Sequence, residues 1–319
     1  MKSYKIIADT REMSRQEWMN VRIKSIGGSE VAAVCGVSRW KSPLQIWCEK
    51  VGVVKQNSEP TEAMKWGIIL EPVIRKEFAK RSGLKIEEAH CIFSHYQYSY
   101  ITANIDGYVR CPDGSYAVLE IKTSNAFLAE DWNDGCPVEY FLQVQYYLGI
   151  LGLKKAFLVV LIGGVDFRQM EIERDDSIVK FIFGQVHKFW KYVEEKKPPK
   201  STSQDNILLS KIFPRSDESA RVVLGADAKK WLEQYEIAKA DMEKAKKLKE
   251  EAEAYIKAEM KDCEAGSCGE YKITWKSSSR TSFNIDKAKT FLNNEQIKAC
   301  MIENTVRILR VSKAKKKEK

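Results

Sequence analysis

ITANIDGYVRCPDGSYAVLEIKTSN, residues 101–125, is the stretch whose reading decides the fold. Residues 104–109 predict one strand. Residues 111–115 (CPDGS) predict its turn, because Pro, Asp and Gly supply the backbone angles that a reversal needs. Residues 116–122 predict the returning strand. Side chains alternate along a strand, so Glu120 and Lys122 share one face with Val118, while Leu119 and Ile121 take the other. Pairing of the two strands brings Asp106 towards Glu120, and two carboxylates and an ammonium then converge. Water-exposed salt bridges produce the same pattern, so the hairpin by itself leaves both readings open.

The rest of the chain sets the frame. Its 319 residues suffice for a sizeable core plus a second small domain. A formal charge of +9 points to an anionic partner, but part of the excess sits in the tail KAKKKEK, residues 313–319, where a solvated end is the simpler reading. The eight cysteines are scattered with no Cys-x-x-Cys pair, and there are three histidines, which argues against a zinc site. The opening residues carry no signal-peptide pattern and no apolar run reaches membrane length. The expected compartment is a reducing cytoplasm, with free thiols serving as small hydrophobes.

Residues 14–24 predict a helix with Ser14 as N-cap and Glu17 completing a capping box. After it, Gly27 and Gly28 permit a tight turn, Ser29 is expected to cap a second helix, and Gly36 to end it. Arg22 and Ser29 together make a chemically sensible phosphate grip, although a serine at a helix start also occurs for structural reasons. Pro43 starts a third helix. Residues 61–83 predict a longer one, with Trp66, Ile69, Leu70, Val73, Ile74 and Phe78 as its buried stripe. Glu71 lies among these apolar side chains, where a carboxylate needs a partner. Residues 84–100 read as one or two strands leading into the hairpin. Residues 138–152 predict a helix apolar almost all round, whose Gln143 needs hydrogen-bond partners. Residues 154–164 are a continuous apolar run typical of a central strand, residues 170–174 an edge strand, and residues 176–196 an amphipathic helix facing inward through Ile178, Phe181, Ile182, Val186, Phe189, Trp190 and Val193. This order is α/β with a mixed sheet.

Domain boundaries follow. Residues 1–200 form the first domain, 201–225 a linker, 226–262 a long helix or coiled-coil arm with four-three apolar spacing, and 263–319 a small C-terminal unit with a basic tail. Strands are expected at 271–275 and 305–311 of that unit, with a polar turn or a DNA-backbone contact at 275–280.

Asp106 followed by Glu120-Ile121-Lys122 resembles the D…ExK core of the PD-(D/E)xK nuclease superfamily. Arg22-x6-Ser29, Trp66-Gly67-x3-Glu71 and Tyr140-x2-Gln143-Val144-Gln145-Tyr146 resemble, in order and spacing, further motifs of the phage λ exonuclease and YqaJ group. The chain is therefore identified as similar to YqaJ-type viral or prophage recombination exonucleases over residues 14–195. The C-terminal stretch GEYKITWKSSSRTSF also resembles an extension of YqaJ-like members.

The resemblance implies a restriction-endonuclease-like fold, a mixed central sheet flanked by helices. It implies Mg²⁺, with Mn²⁺ able to substitute and two ions per site, held by Asp106, Glu120 and the carbonyl of Ile121, with Glu71 on the second ion or its waters. Lys122 would position or deprotonate the attacking water, Gln143 and Tyr140 would fix Lys122 and that water, and Arg22 with Ser29 would bind a 5′-phosphate. The implied activity is a metal-dependent 5′-to-3′ exonuclease on linear duplex DNA ends. It would work with a RecT-type single-strand annealing protein, and the λ-type members suggest a three-subunit ring. The alternatives are a RecB-like or restriction-type endonuclease, and a non-catalytic scaffold that binds DNA ends. The Arg22/Ser29 element favours end recognition, since an endonuclease needs no pocket for a terminal phosphate.

Overall fold

The structure, a computed structural model, describes residues 3–55, 59–279, 281–282, 284–301 and 309–311. Two compact units divide it, Met1–Ile212 and Phe213–Lys319. The first unit contains, in order, β1 (Tyr4–Asp9), α1 (Arg15–Ile23), α2 (Gly28–Val34), α3 (Pro43–Lys50), α4 (Glu62–Ser82), β2 (Lys85–Glu88), β3 (Cys91–His95), β4 (Thr102–Ala103), β5 (Gly107–Arg110), β6 (Tyr116–Ser124), α5 (Val138–Leu151), β7 (Lys155–Ile162), β8 (Asp166–Glu173), α6 (Asp176–Glu194) and α7 (Asn206–Ile212).

Five strands form the main sheet in the order β2-β5-β6-β7-β8. The hairpin is present: β5 and β6 are antiparallel from Gly107 against Leu119 to Arg110 against Tyr116. Its turn closes with the Cys111 N–H donating to the Ser115 carbonyl at 2.8 Å. From β6 the chain crosses over through α5 and returns as β7, parallel to β6 with Glu120 beside Leu158 and Lys122 beside Val160. The outer pairs are antiparallel, so the sheet is mixed. Alternation along β6 sorts its side chains as expected. Val118 joins a core with Val144, Tyr146 and Leu148 of α5, and Leu119 and Ile121 join Ile74 and Phe78 of α4 on the opposite face. The mixed central sheet flanked by helices is thus the architecture of this chain. A smaller antiparallel sheet, β1-β3-β4, stands beside it.

Several local expectations need correction. The first strand of the hairpin begins at Gly107, not residue 104. Asp106 leaves the ladder because its own carboxylate accepts the Ile121 N–H at 2.7 Å, the bond that a strand neighbour's carbonyl would otherwise make. Gly27, not Ser29, is the N-cap of α2, and the Glu30 carboxylate accepts the Gly27 N–H at 3.0 Å. On α4 the covered stripe is Leu70, Ile74 and Phe78, whereas Trp66, Ile69 and Val73 are 56%, 56% and 60% exposed. Phe181 on α6 also faces outward. The expected linker is partly folded. Asp205 is buried, accepts from Ser42 Oγ and takes the Thr202 N–H at 2.6 Å, which ties residues 203–212 to the first unit.

The second unit contains α8 (Ala226–Met260), a hairpin of β9 (Ala265–Cys268) and β10 (Tyr271–Thr274), α9 (Ile285–Lys289) and α10 (Asn294–Cys300). The strand expected at 305–311 falls largely outside the described residues. All eight cysteines are free. Among the described residues no helix is long and apolar enough to cross a membrane.

α2 packs on α5 at very close range. A Cβ on Gly28 would stand 2.4 Å from Cε1 of the buried Tyr147 ring, so only glycine allows this approach. Gly28→Ala should destabilise the chain by about 1–3 kcal/mol through overpacking. Urea unfolding measures it, and an unchanged midpoint would contradict the close contact.

Candidate active site

Glu120 projects from the middle strand of the sheet with only 2% of its surface exposed. Its Oε1 accepts from Lys122 Nζ at 2.5 Å and from Gln143 Nε2 at 2.6 Å. Its Oε2 is buried and has no hydrogen-bond partner among the described residues. A Gln on the buried side of α5 must be satisfied, and Gln143 is, because its amide nitrogen also donates to the Tyr147 hydroxyl at 3.0 Å. The third carboxylate, Glu71, comes from α4 and pairs with Arg75 one turn later. Arg75 also reaches the Asp106 carbonyl at 3.3 Å and Glu88 at 3.1 Å.

These groups meet at a cavity of about 1080 Å³ whose lining includes Glu71, Asp106, Glu120, Ile121, Lys122 and Tyr140. Burial, reinforced by the Asp106 charge, pushes Glu120 up to about 8 and Glu71 up to about 7. Burial raises Asp106 as well. Burial works against the Lys122 ammonium, but Glu120 and Asp106 outweigh it and its pKa rises. Tyr140 supplies a wall: Lys122 Nζ lies 5.2 Å from its ring centroid, and the ring stacks on Trp132 at 5.3 Å.

This donor set fits a hard divalent cation. Asp106 and Glu120 offer carboxylate oxygens, one of them buried without a donor, and carboxylates of raised pKa gain from a nearby positive charge. Among the described residues no three acidic, His or Cys side chains stand drawn together as a ready-made ligand cluster. Glu71 is turned to Arg75 and Glu120 to Lys122, and those two cations offset the carboxylate charge here.

Arg22 and Ser29 come together beside Trp18. Arg22 Nη2 donates to Ser29 Oγ at 2.9 Å, and its guanidinium lies 4.6 Å from the Trp18 ring centroid. Trp18 lines the cavity, whereas Arg22 and Ser29 do not. Glu71, Asp106, Glu120, Ile121, Lys122 and Tyr140 thus share the cavity lining, Gln143 joins them through Glu120, and Arg22 and Ser29 stand outside that lining. Sequence reasoning missed further lining residues: Arg15, Trp18, Trp40, Met64 and Ile68. Arg15, Trp18 and Arg22 recur at three- and four-residue spacing, a basic and aromatic face legible on a helix. Trp40, Met64 and Ile68 carry no comparable signal.

Residues 17–154 match the YqaJ-like viral recombinase domain family. A protein of Bacillus subtilis (strain 168), Uncharacterized protein YqaJ, is 37% identical over 281 residues, 86% of this chain and 87% of that protein. The chain belongs to the YqaJ family. Among solved structures, the alkaline exonuclease LHK-Exo of Laribacter hongkongensis is similar at 24% identity and a TM-score of 0.48, over 57% of this chain and 94% of that one. LHK-Exo in complex with dAMP is similar at 25% identity, with the same score and coverage. All nine expected site residues of this YqaJ-family chain, from Arg22 to Gln143, lie within the matched domain, and α8 and everything after it lie beyond.

A cation bound by these carboxylates should stabilise the fold. Adding Mg²⁺ to EDTA-treated chain is expected to contribute about 1–3 kcal/mol, a melting shift of a few degrees. Glu120→Gln should remove most of that shift, and an equal shift in this variant would exclude Glu120 as a ligand.

Proposed function

We propose that this chain is a metal-dependent exonuclease that digests linear double-stranded DNA from its 5′ ends and leaves 3′ single strands for recombination by annealing. Membership of a viral-recombinase family supports nuclease activity. The observation that supports the finer reading is the convergence of Asp106, Glu120, Glu71 and Lys122 on one cavity, with the bonded Arg22 and Ser29 next to Trp18 of its lining.

Asp106, Glu120 and the Ile121 carbonyl would hold one Mg²⁺, and Glu71 a second ion or its waters; Mn²⁺ has the same preference for oxygen. Ions held there would supply an acidified water and charge neutralisation at the phosphodiester. The chain's own residues do the rest. Lys122 Nζ, 2.5 Å from a Glu120 oxygen and 5.2 Å from the Tyr140 ring centroid, would orient the attacking water, or take its proton in the neutral amine form. Gln143 fixes Glu120 and, through it, Lys122. Arg22 and Ser29 hold the terminal phosphate, the guanidinium offering paired N–H donors to its oxygens. A single strand left at the 3′ side is the substrate of a RecT-type annealing protein, the partner we assign, and a ring of three subunits around DNA would make digestion processive.

Incubation of end-labelled linear and closed circular duplexes, with and without Mg²⁺, separates this activity from that of an endonuclease. Mononucleotide release from the linear form alone is expected, and Lys122→Ala should reduce it by at least ~10²-fold while DNA binding persists. Equal cutting of the circle would exclude an exonuclease. Arg22→Ala should slow digestion of 5′-phosphorylated ends by roughly tenfold or more, and that of 5′-hydroxyl ends much less. Equal losses on both ends would remove the phosphate grip.

A further inference from the structure

Lys50, the last residue of α3, has a side chain with 0% exposure. Its Nζ donates to both oxygens of Glu30, at 2.8 and 2.9 Å, and to the backbone carbonyl of Arg22 at 2.6 Å. Glu30 is itself buried at 4% side-chain exposure. Buried ion pairs of this kind are poor stabilisers, since desolvating both charges offsets their attraction, so stability alone does not explain a lysine here.

The pair bears directly on the Arg22/Ser29 element. Glu30 lies 3.5 Å from the Arg22 guanidinium, within ion-pair range but farther than its contacts with Lys50. Burial works against the Glu30 carboxylate, yet Lys50 and Arg22 together keep it ionised, with its pKa below the usual value. Lys50 therefore meets the carboxylate face-on while Arg22 touches only its edge. The guanidinium stays directed at Ser29 Oγ, with its central carbon 4.6 Å from the Trp18 ring centroid.

We propose that Lys50 is a positioning residue that sets the strength of the terminal-phosphate grip by holding the Glu30 charge off Arg22. The proposal rests on the reading of Arg22 and Ser29 as that grip. Its ligand class is a phosphate monoester, the charged group that distinguishes a 5′-phosphorylated end from a 5′-hydroxyl end. Without the Lys50 charge, Arg22 is the cation left within ion-pair range of Glu30 among the described residues. The guanidinium is then drawn onto that carboxylate, away from Ser29 and from an incoming phosphate. Lys50 acts through Glu30, and its side chain has no exposed surface with which to touch DNA.

The test uses full-length chain and reads the ratio of digestion rates on 5′-phosphorylated and 5′-hydroxyl linear duplexes. Lys50→Met should lower this ratio about tenfold, the scale of one charge-assisted hydrogen bond, chiefly by raising KM for the phosphorylated end. Glu30→Gln/Lys50→Met, which replaces the pair by two neutral side chains, should recover most of the ratio because nothing then competes for Arg22. A merely structural role would slow both ends alike and leave the ratio where it was. Lys50→Gln, which keeps a donor for the Arg22 carbonyl but drops the charge, is the milder variant should Lys50→Met fold poorly, and it should show the same loss. A wild-type ratio in the single variants, or a double variant no better than Lys50→Met, overturns the proposal. A ratio near one in the wild type would instead sink the phosphate grip, and this inference with it.

Discussion

Glu120 is a carboxylate on the middle strand of a five-stranded sheet, nearly cut off from water, and the groups around it answer its charge. Lys122 and Gln143 share one of its oxygens, and Asp106 stands near enough to raise its pKa. That placement follows from the register of β6. A slip of one residue would exchange the two faces of the strand, sending Leu119 and Ile121 into α5 and Glu120 into the apolar cluster under α4. The hydrophobic residues of β6 thereby fix its polar ones. Parallel pairing with β7 holds the strand on its other side, so core packing and site geometry are one constraint.

The Glu120/Lys122 half of the candidate site is legible in the sequence because it obeys a local rule. Alternation on one strand fixes Glu120 and Lys122, and the Pro-Asp-Gly turn fixes the partner strand. What is not legible depends on more distant surroundings. α4 carries apolar residues on two helical stripes, 66/69/73 and 70/74/78, and periodicity cannot say which one the sheet will cover. Similarly, residues 104–109 have strand composition throughout, but whether Asp106 pairs through its backbone or its side chain depends on the Ile121 N–H opposite. Lys50 gives no sequence signal at all, since the end of a helix is an ordinary place for a lysine.

One apolar stripe of α4 is left uncovered. Trp66, Ile69 and Val73 are large apolar side chains left to solvent on a helix whose other residues, Met64, Ile68 and Glu71, line the cavity. The same helix thus contributes a carboxylate and cavity wall while presenting apolar surface to its exterior.

The close seat of Gly28 against Tyr147 also bears on how the sequence can change. Gly28 touches the Tyr147 ring, the Tyr147 hydroxyl accepts from Gln143, and Gln143 holds Glu120, so the start of α2 and the buried carboxylate belong to one contiguous line. Substitutions along such a line do not add. A larger residue at position 28 becomes tolerable only after the ring at 147 has shrunk, and a smaller ring at 147 takes the Gln143 partner with it. Over generations these positions can drift only together and in a restricted order.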